Sequence, residues 1–286
     1  MNESHLDLAI IIVSYNTRDM LRTCLRSVYA ELLRLNLGGQ VWVVDNASAD
    51  GSPDMVRAEF PQTRLLALDR NKGFAGGNNA ALRELGFGDE HSAQPNTPDL
   101  VLFLNPDTEV QENAIGQMTT ALRADETTGV VGAGLIYPDG RFQHSAFHFP
   151  TLWQIWFDFF PRPARFLDSP VNGRYAPSLY QATTPFAVDH PLGAAFLIRA
   201  EVIRQVGLMD EGFFMYAQEI DWCMRIKRTG WKIYCAPAAK IVHHSGGSTR
   251  QFRNEMFVAL WRSRFRLFEK HYGPVFNLLA RALVQV

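Results

Sequence analysis

The sequence is short of cysteine, of unbalanced charge and of long apolar runs, and each shortage removes a class of protein. Its 286 residues hold three cysteines, Cys24, Cys223 and Cys235, an odd number with no CxxC pair. That argues against a disulfide framework or a structural zinc site and points to a reducing compartment. The 28 basic and 29 acidic side chains leave a net charge of -1. Bulk electrostatics therefore gives no reason to expect a nucleic-acid partner, and any anionic ligand must be held by a local site. The apolar run Leu8 to Val13 is of strand length, and no stretch reaches the roughly 20 apolar residues that a membrane-spanning helix needs. The opening MNESHLDLAIIIVSYN has neither a basic n-region nor a cleavage site, so no signal peptide is expected. The glycines of NKGFAGGNN do not follow GxGxxG spacing, which counts against a dinucleotide-binding dehydrogenase. Internal repeats and low-complexity segments are missing too.

What is there is an ordinary globular composition, 47% apolar and 20% charged, in a chain long enough for one large α/β domain or two modest ones. Leu8 to Val13 reads as a strand covered on both faces. Asn16 or Thr17 can cap a helix running to about Leu35, with Met20, Leu21, Cys24, Leu25 and Val28 on its apolar face. Val41 to Val44 is a second buried strand ending in Asp45-Asn46, and a helix starts at Pro53. Arg64 to Leu68 is a third strand, the glycine-rich NKGFAGGNNAALREL opens a helix, and Leu100 to Leu104 is a fourth strand after a polar linker, Gly86 to Pro98. These alternations predict a doubly wound α/β sheet, in which ligands bind beyond the carboxyl ends of the strands. Further strands are expected at Gly129 to Ile136, Ala194 to Arg199, Lys232 to Cys235 and Lys240 to Val242. Helix is expected at Glu201 to Val206, over most of Asp210 to Arg228, and from Asn254 to about Tyr272, before a tail, Val275 to Val286, that is apolar on one side.

Several groups carry chemistry. Asp45, at a strand end, reads either as a turn-forming Asp bonding backbone amides or as a carboxylate accepting the imide N–H of a uracil or thymine base. NKGFAGGNN reads either as a turn needing positive φ or as backbone and Lys72 beside a nucleotide diphosphate. Asn105-Pro106-Asp107 ends a buried strand, where oxygen ligands can hold a hard divalent cation that bridges a diphosphate; a helix-capping Asp107 is the plainer option. In Met215 to Ser248, Glu219 and Asp221 are two apart and cannot share a helix face, whereas Asp221 and Arg225 can pair. Glu219 is then the freer carboxylate and the candidate base. His243 and His244 end a strand before a Ser-Gly-Gly-Ser turn; a lone histidine is usually structural, but one at a strand end beside a metal-diphosphate is a candidate ligand. The aromatic segment Phe147 to Phe160 reads as a helix over the acceptor side of the sheet or as a membrane-facing surface. The C-terminal helix, with Arg253, Arg262, Arg264, Arg266 and Lys270 beside Phe257, Trp261 and Phe265, favours the second.

The ordered set IVSYNT, VDNASADGS, NKGFAGGNN, LNPD, a Gly-Ala-Ala-Phe strand, QEIDxxxR and VHHxGGS resembles glycosyltransferase family 2. It is most like the rhamnosyltransferase-like bacterial members that build O-antigen and related polysaccharides. The likeness spans about residues 7 to 250. It implies a GT-A fold: an α/β, Rossmann-like, mostly parallel sheet flanked by helices, with a C-terminal helical extension. Residues 1–250 would be the catalytic domain, with a nucleotide-binding half to about 125 and an acceptor-binding half from about 126, and residues 251–286 the extension. The implied reaction is an inverting, metal-assisted transfer of a sugar from a dTDP- or UDP-linked nucleoside-diphosphate donor, rhamnose from dTDP-rhamnose first among them, to a hydroxyl of a glycan or polyprenyl-diphosphate-linked acceptor. The implied cofactor is Mg²⁺ or Mn²⁺. The implied place is the cytoplasm or the inner face of the cell membrane.

By the same resemblance Asp45 falls on the base-reading Asp, and Asn105 and Asp107 on the DxD-type site, reduced here to NPD. The family's Glu-Asp pair appears as Gln218-Glu219, so the base is Glu219, with Asp221 as its substitute. His243 falls on the histidine that closes the metal site. Ser14, Asn16, Asn46, Lys72 and Asn78 complete the implied nucleotide site, and Gly193, Ala194, Trp222 and Arg225 the acceptor site. The competing readings are a non-catalytic sugar-nucleotide or glycan-binding homologue and a nucleotidyltransferase.

Overall fold

The computed structural model describes residues 8–88, 97–161, 163–245 and 253–285, without the side chains of 253–255. The expected Gly86 to Pro98 linker and the Ser-Gly-Gly-Ser turn lie largely outside the described residues, as does the side chain of Arg253.

The first half is built from β1 (Leu8–Ser14), α1 (Arg18–Arg34), β2 (Gly39–Asp45), α2 (Ser52–Glu59), β3 (Arg64–Ala67), α3 (Gly73–Glu84), β4 (Leu100–Leu104), β5 (Thr108–Val110) and α4 (Ala114–Arg123). It continues through β6 (Thr128–Ile136), the short β7 (Phe142–Gln143) and β8 (Ala146–Phe147), α5 (Leu152–Phe159) and α6 (Pro177–Gln181). Then come β9 (Phe186–Ala187), β10 (His190–Pro191), β11 (Ala195–Arg199), α7 (Ala200–Val206), α8 (Gln218–Arg228), β12 (Lys232–His243), α9 (Arg253–His271) and α10 (Pro274–Val284).

The main sheet has the strand order β3-β2-β1-β4-β11-β6-β12-β5. β3, β2, β1 and β4 are mutually parallel, and β12 is parallel to β6. β11 is antiparallel to both β4 and β6, and β5 is antiparallel to β12. The continuous β-branched runs sit where both faces are covered. Ile10, Ile12, Val41 and Leu102 pack under α1 and α4 on one face, while Ile11, Val44, Phe103 and Phe196 pack under α3 and α8 on the other. A third cluster joins Ile155 of α5, Phe213, Met224 of α8, and Trp261, Leu267 and Phe268 of α9 to Ala280 of α10.

The structure corrects four sequence expectations. Helix does not run from Asp210: α8 starts at Gln218, because Tyr216 and Ala217 both adopt positive φ (68° and 62°) and break the helical path. Lys232 to Cys235 and Lys240 to Val242 are one strand, β12, whose register with β6 shifts between Ala236 and Lys240. Pro237 lies in that bulge, where proline is tolerated. Thr17 is the α1 N-cap residue, but its hydroxyl bonds Ser14 Oγ (2.9 Å) and makes no capping bond. Met20 is exposed, not part of the buried face of α1.

The parallel strands place their carboxyl ends in one row. Ser14 pairs with Asp45 and Ile12 with Leu104, so the segments after β1, β2 and β4 open on the same edge.

Candidate active site

A cavity of about 430 Å³ opens at this edge. Ser14 and Asn46 line it from β1 and β2, Asn105 and Asp107 from the turn after β4, Gly193 and Ala194 ahead of β11, Tyr216 and Glu219 at the start of α8, and His243 at the end of β12. Residues 200 positions apart thus meet because the sheet aligns their strand ends.

Asp107 and His243 form one wall. His243 Nε2 lies 3.6 Å from Asp107 Oδ1, both side chains being nearly buried. Burial lowers the His243 pKa; Asp107 pulls it back up, and His244 lowers it. His243 Nδ1 is buried with no hydrogen-bond partner among the described residues. The backbone pins the pair, since the His244 N–H donates to the Asp107 carbonyl (2.9 Å). His244 itself is engaged elsewhere, with Nε2 2.6 Å from Glu109 Oε1. Asn105 is fixed by its own N–H, which donates to the Ala194 carbonyl (3.0 Å).

No group of three His, Cys, Asp or Glu side chains able to hold a metal occurs among the described residues. One carboxylate and one imidazole at 3.6 Å, with Asn105 alongside, nevertheless fit a divalent ion of the kind that takes one or two protein ligands and fills its other positions with phosphate oxygens and water. The donor set fits the implied ion.

Glu219 lines the same cavity from the start of α8. Its Oε2 is buried and has no hydrogen-bond partner among the described residues. Desolvation pushes its pKa up to about 7, against a small lowering by its own backbone. A carboxyl kept out of water with no cation beside it is a proton acceptor tuned to neutral pH. Asp221 is its opposite. It is 0% exposed, and its carboxylate meets Arg225 (2.9 Å), Lys270 (2.7 Å) and His271 (2.7 Å). Burial alone would raise its pKa, but those partners hold it below the ordinary carboxylate value. It is an anchor, not a substitute base.

Two of the four expected acceptor residues are also core. Trp222 is fully buried, stacked on Phe196 (5.8 Å) with its Nε1 donating to the Gly207 carbonyl. The Arg225 guanidinium donates to Asp221 and to the Val206 and Leu208 carbonyls, which leaves it no role on the cavity wall. Gly193 and Ala194 do line the cavity. A Cβ on Gly193 would stand 3.8 Å from the Glu219 Cβ.

On the expected nucleotide side the roles divide. Asp45 is 2% exposed; Oδ2 accepts from the Ser48 N–H (2.9 Å), while Oδ1 is buried with no partner among the described residues. Asn16 Oδ1 accepts from Ala49 N–H, shaping the same loop. Asn46 ties β2 to α3: its Nδ2 donates to the Gly73 carbonyl and its Oδ1 accepts from Lys72 N–H. Asn78 is buried within α3, with Nδ2 on the Phe74 carbonyl, and the Lys72 side chain is exposed. Neither lines the cavity. The glycine of this turn serves packing, since Gly73 has φ +72° and a Cβ there would lie 2.1 Å from the Phe214 carbonyl oxygen.

Sequence reasoning missed the loop Phe214–Tyr216, which lines the cavity and is bound to α3 by the Phe74 N–H on the Phe214 carbonyl (2.9 Å). Its signal was the paired need for Gly73 and for a break before Gln218. A second cavity, of about 340 Å³, shares Tyr216 and Glu219 with the first and was also missed. It is lined by residues scattered from Phe147 to Phe268, which no local motif connects.

Comparison with known proteins agrees with this architecture. The family model described as Glycosyl transferase family 2 matches residues 9–207. The chain is 27% identical over 272 residues to an N-acetylglucosaminyl-diphospho-decaprenol L-rhamnosyltransferase of Mycobacterium tuberculosis, covering 93% of this chain and 85% of that one. It is 24% identical to the dTDP-rhamnosyl transferase RfbF of Shigella flexneri, covering 82% and 68%. Among solved structures, the mannosyltransferase PcManGT of Pyrobaculum calidifontis, in complex with GDP-Man and Mn²⁺, superposes with a TM-score of 0.58 at 18% identity, over 96% of this chain and 68% of that one.

Proposed function

From the fact that this chain belongs to glycosyl transferase family 2, with rhamnosyltransferases among its relatives, we propose that it transfers rhamnose from dTDP-rhamnose to a hydroxyl of a lipid-linked glycan, with inversion at the anomeric carbon. The chain is a glycosyltransferase of GT-A fold; the donor, the metal and the acceptor are the proposal.

The observation that carries it is that Glu219 and the Asp107–His243 pair line one cavity. In this reading Asp45 reads the base through the otherwise unpartnered Oδ1, and residues up to about 125 hold the nucleotide. Asp107, His243 and Asn105 would hold Mg²⁺ or Mn²⁺, which when bound would stabilise the charge of the departing diphosphate. Glu219 Oε2 takes the proton of the acceptor hydroxyl as that oxygen bonds to the anomeric carbon. The bond from that carbon to the diphosphate oxygen breaks, and the nucleoside diphosphate leaves with its electron pair. General-base help of this kind contributes about 10²–10⁴-fold.

A lipid-linked acceptor suits the surface beside the site. No helix among the described residues is long and apolar enough to cross a membrane. α5, however, exposes Trp153 (62%), Trp156 and Phe159, and the neighbouring α10 exposes Val275 and Leu278 (69% each). Aromatic rings of this kind favour the membrane–water interface, and we place the protein on the inner face of the cell membrane.

The test is nucleoside-diphosphate release from a panel of dTDP-, UDP- and GDP-sugars, with and without EDTA. Release from dTDP-rhamnose, abolished by EDTA and restored by Mg²⁺ or Mn²⁺, is the expected result. Turnover of another nucleotide sugar alone would overturn the donor assignment, and release that EDTA leaves untouched would overturn the metal.

A further inference from the structure

The second cavity borders the first through Tyr216 and Glu219, which line both. It is lined by α5, with Gln154, Ile155 and Asp158, and by α9, with Leu260, Arg264 and Phe268. The α9 wall lies beyond residues 9–207, the span that the family model matches.

We propose that this second cavity is the acceptor pocket, and that the group it seats is a neutral pyranose ring. The assignment rests on Glu219 being the base. A cavity of about 340 Å³ lies at the low end of the roughly 300–1,000 Å³ of small-ligand sites, which suits a mono- or disaccharide and not a longer glycan.

Neutrality follows from the charges. Arg264 is paired with Asp158, Arg174 with Asp168 (3.0 Å), and His148 with Asp189 (3.1 Å). An anionic ligand would have to displace a carboxylate from Arg264 or Arg174. A sugar hydroxyl can instead donate to the carboxylate of such a pair and accept from its guanidinium, leaving the pair intact. Apolar side chains, among them Phe147, Ile220 and Phe268, supply the surface against which the C–H face of a pyranose packs. His190, stacked between Phe147 and Phe149, is fully buried and carries its pKa down to about 4 through desolvation, so it too enters the wall uncharged. A hydroxyl of a ring seated here reaches the face of Glu219 that the second cavity shares, while the donor occupies the first.

The inference is tested by octyl pyranosides (glucoside, galactoside, mannoside and N-acetylglucosaminide) as acceptor probes, with nucleoside-diphosphate release as the readout and nucleotide affinity measured separately by calorimetry. At least one pyranoside should stimulate release by the full chain. Leu260→Trp, which fills the cavity from α9, should raise the KM for that pyranoside at least tenfold with nucleotide Kd within twofold of wild type. Octyl glycosides carrying a phosphate should stimulate less than their neutral parents. If Leu260→Trp loses nucleotide affinity it is misfolded, and Asn172→Leu on the cavity's loop wall decides by the same criterion. An unchanged acceptor KM in a variant with wild-type nucleotide affinity overturns the assignment, as does basal release that no neutral pyranoside stimulates. A wild-type chain that releases nothing from any nucleotide sugar refutes the transferase reading itself and not the placement of the cavity.

Discussion

His271 Nε2, at the end of α9, lies 2.7 Å from Asp221 Oδ1, with both side chains no more than 1% exposed. Burial lowers the His271 pKa against the pull of Asp221, so the ring is neutral near pH 7 and donates through Nε2–H. Asp221 lies two residues after Glu219, and Arg225 and Lys270 complete the cluster. The C-terminal helix therefore grips the helix that carries the candidate base.

Breaking this cluster should cost stability before it costs chemistry. Asp221→Ala leaves Arg225 and Lys270 without their shared anion, and removing one partner of a buried pair costs about 3–5 kcal/mol. Denaturant titration should show that loss. A variant with wild-type stability and lost turnover would instead make Asp221 the catalytic carboxylate.

The pH profile of activity should follow Glu219. Its pKa, pushed up to about 7 by burial, places the ascending limb of kcat/KM near pH 7, with activity lost below it as the base is protonated. Stability runs the other way. A carboxyl whose folded pKa is raised contributes stability that is complete below its unfolded value and is lost as pH rises through about 7. Glu219→Gln should therefore be more stable than wild type at pH 8, by about 1–3 kcal/mol, while less active. Thermal melts of both chains at pH 5 and pH 8 would check the crossing.

Acid should destabilise the fold early. His190 is held near 4 by desolvation, and His243 and His271 are also lowered, chiefly by burial. The unfolded chain takes up these protons first, so stability falls as pH drops from about 6.5 towards 4. His190→Phe, among the rings of Phe147 and Phe149, should flatten that slope in urea titrations between pH 7 and 4.5.

Metal dependence should separate the two histidines. Asp107→Ala and His243→Ala should each lower kcat by about 10²–10³, the usual cost of removing a group that stabilises transition-state charge. His244→Ala, which breaks the contact with Glu109, should stay within a fewfold. Equal losses from His243→Ala and His244→Ala would contradict the assignment of the ligand.

Much of this site was legible where local pattern and chemistry coincide. The apolar strands ending in Ser14, Asp45 and Leu104 announce their sheet edge, and the two-residue spacing of Glu219 and Asp221 already separates their roles. The pairing of Asp221 with Arg225 was legible from their four-residue spacing, whereas the acceptor role that the resemblance implied for Trp222 and Arg225 gives no account of which face of α8 they occupy. Trp222 turns into the sheet and Arg225 onto backbone carbonyls. The second cavity was invisible because its wall pairs Asp158 with Arg264 across 106 positions, a contact that only tertiary packing creates.

Glu219 as the base is the centre of the account, and single-turnover kinetics of Glu219→Gln test it most directly. The predicted result is a fall of about 10²–10⁴-fold in the transfer rate, with nucleotide-sugar affinity within twofold of wild type. Near-normal turnover with retained nucleotide binding would contradict it.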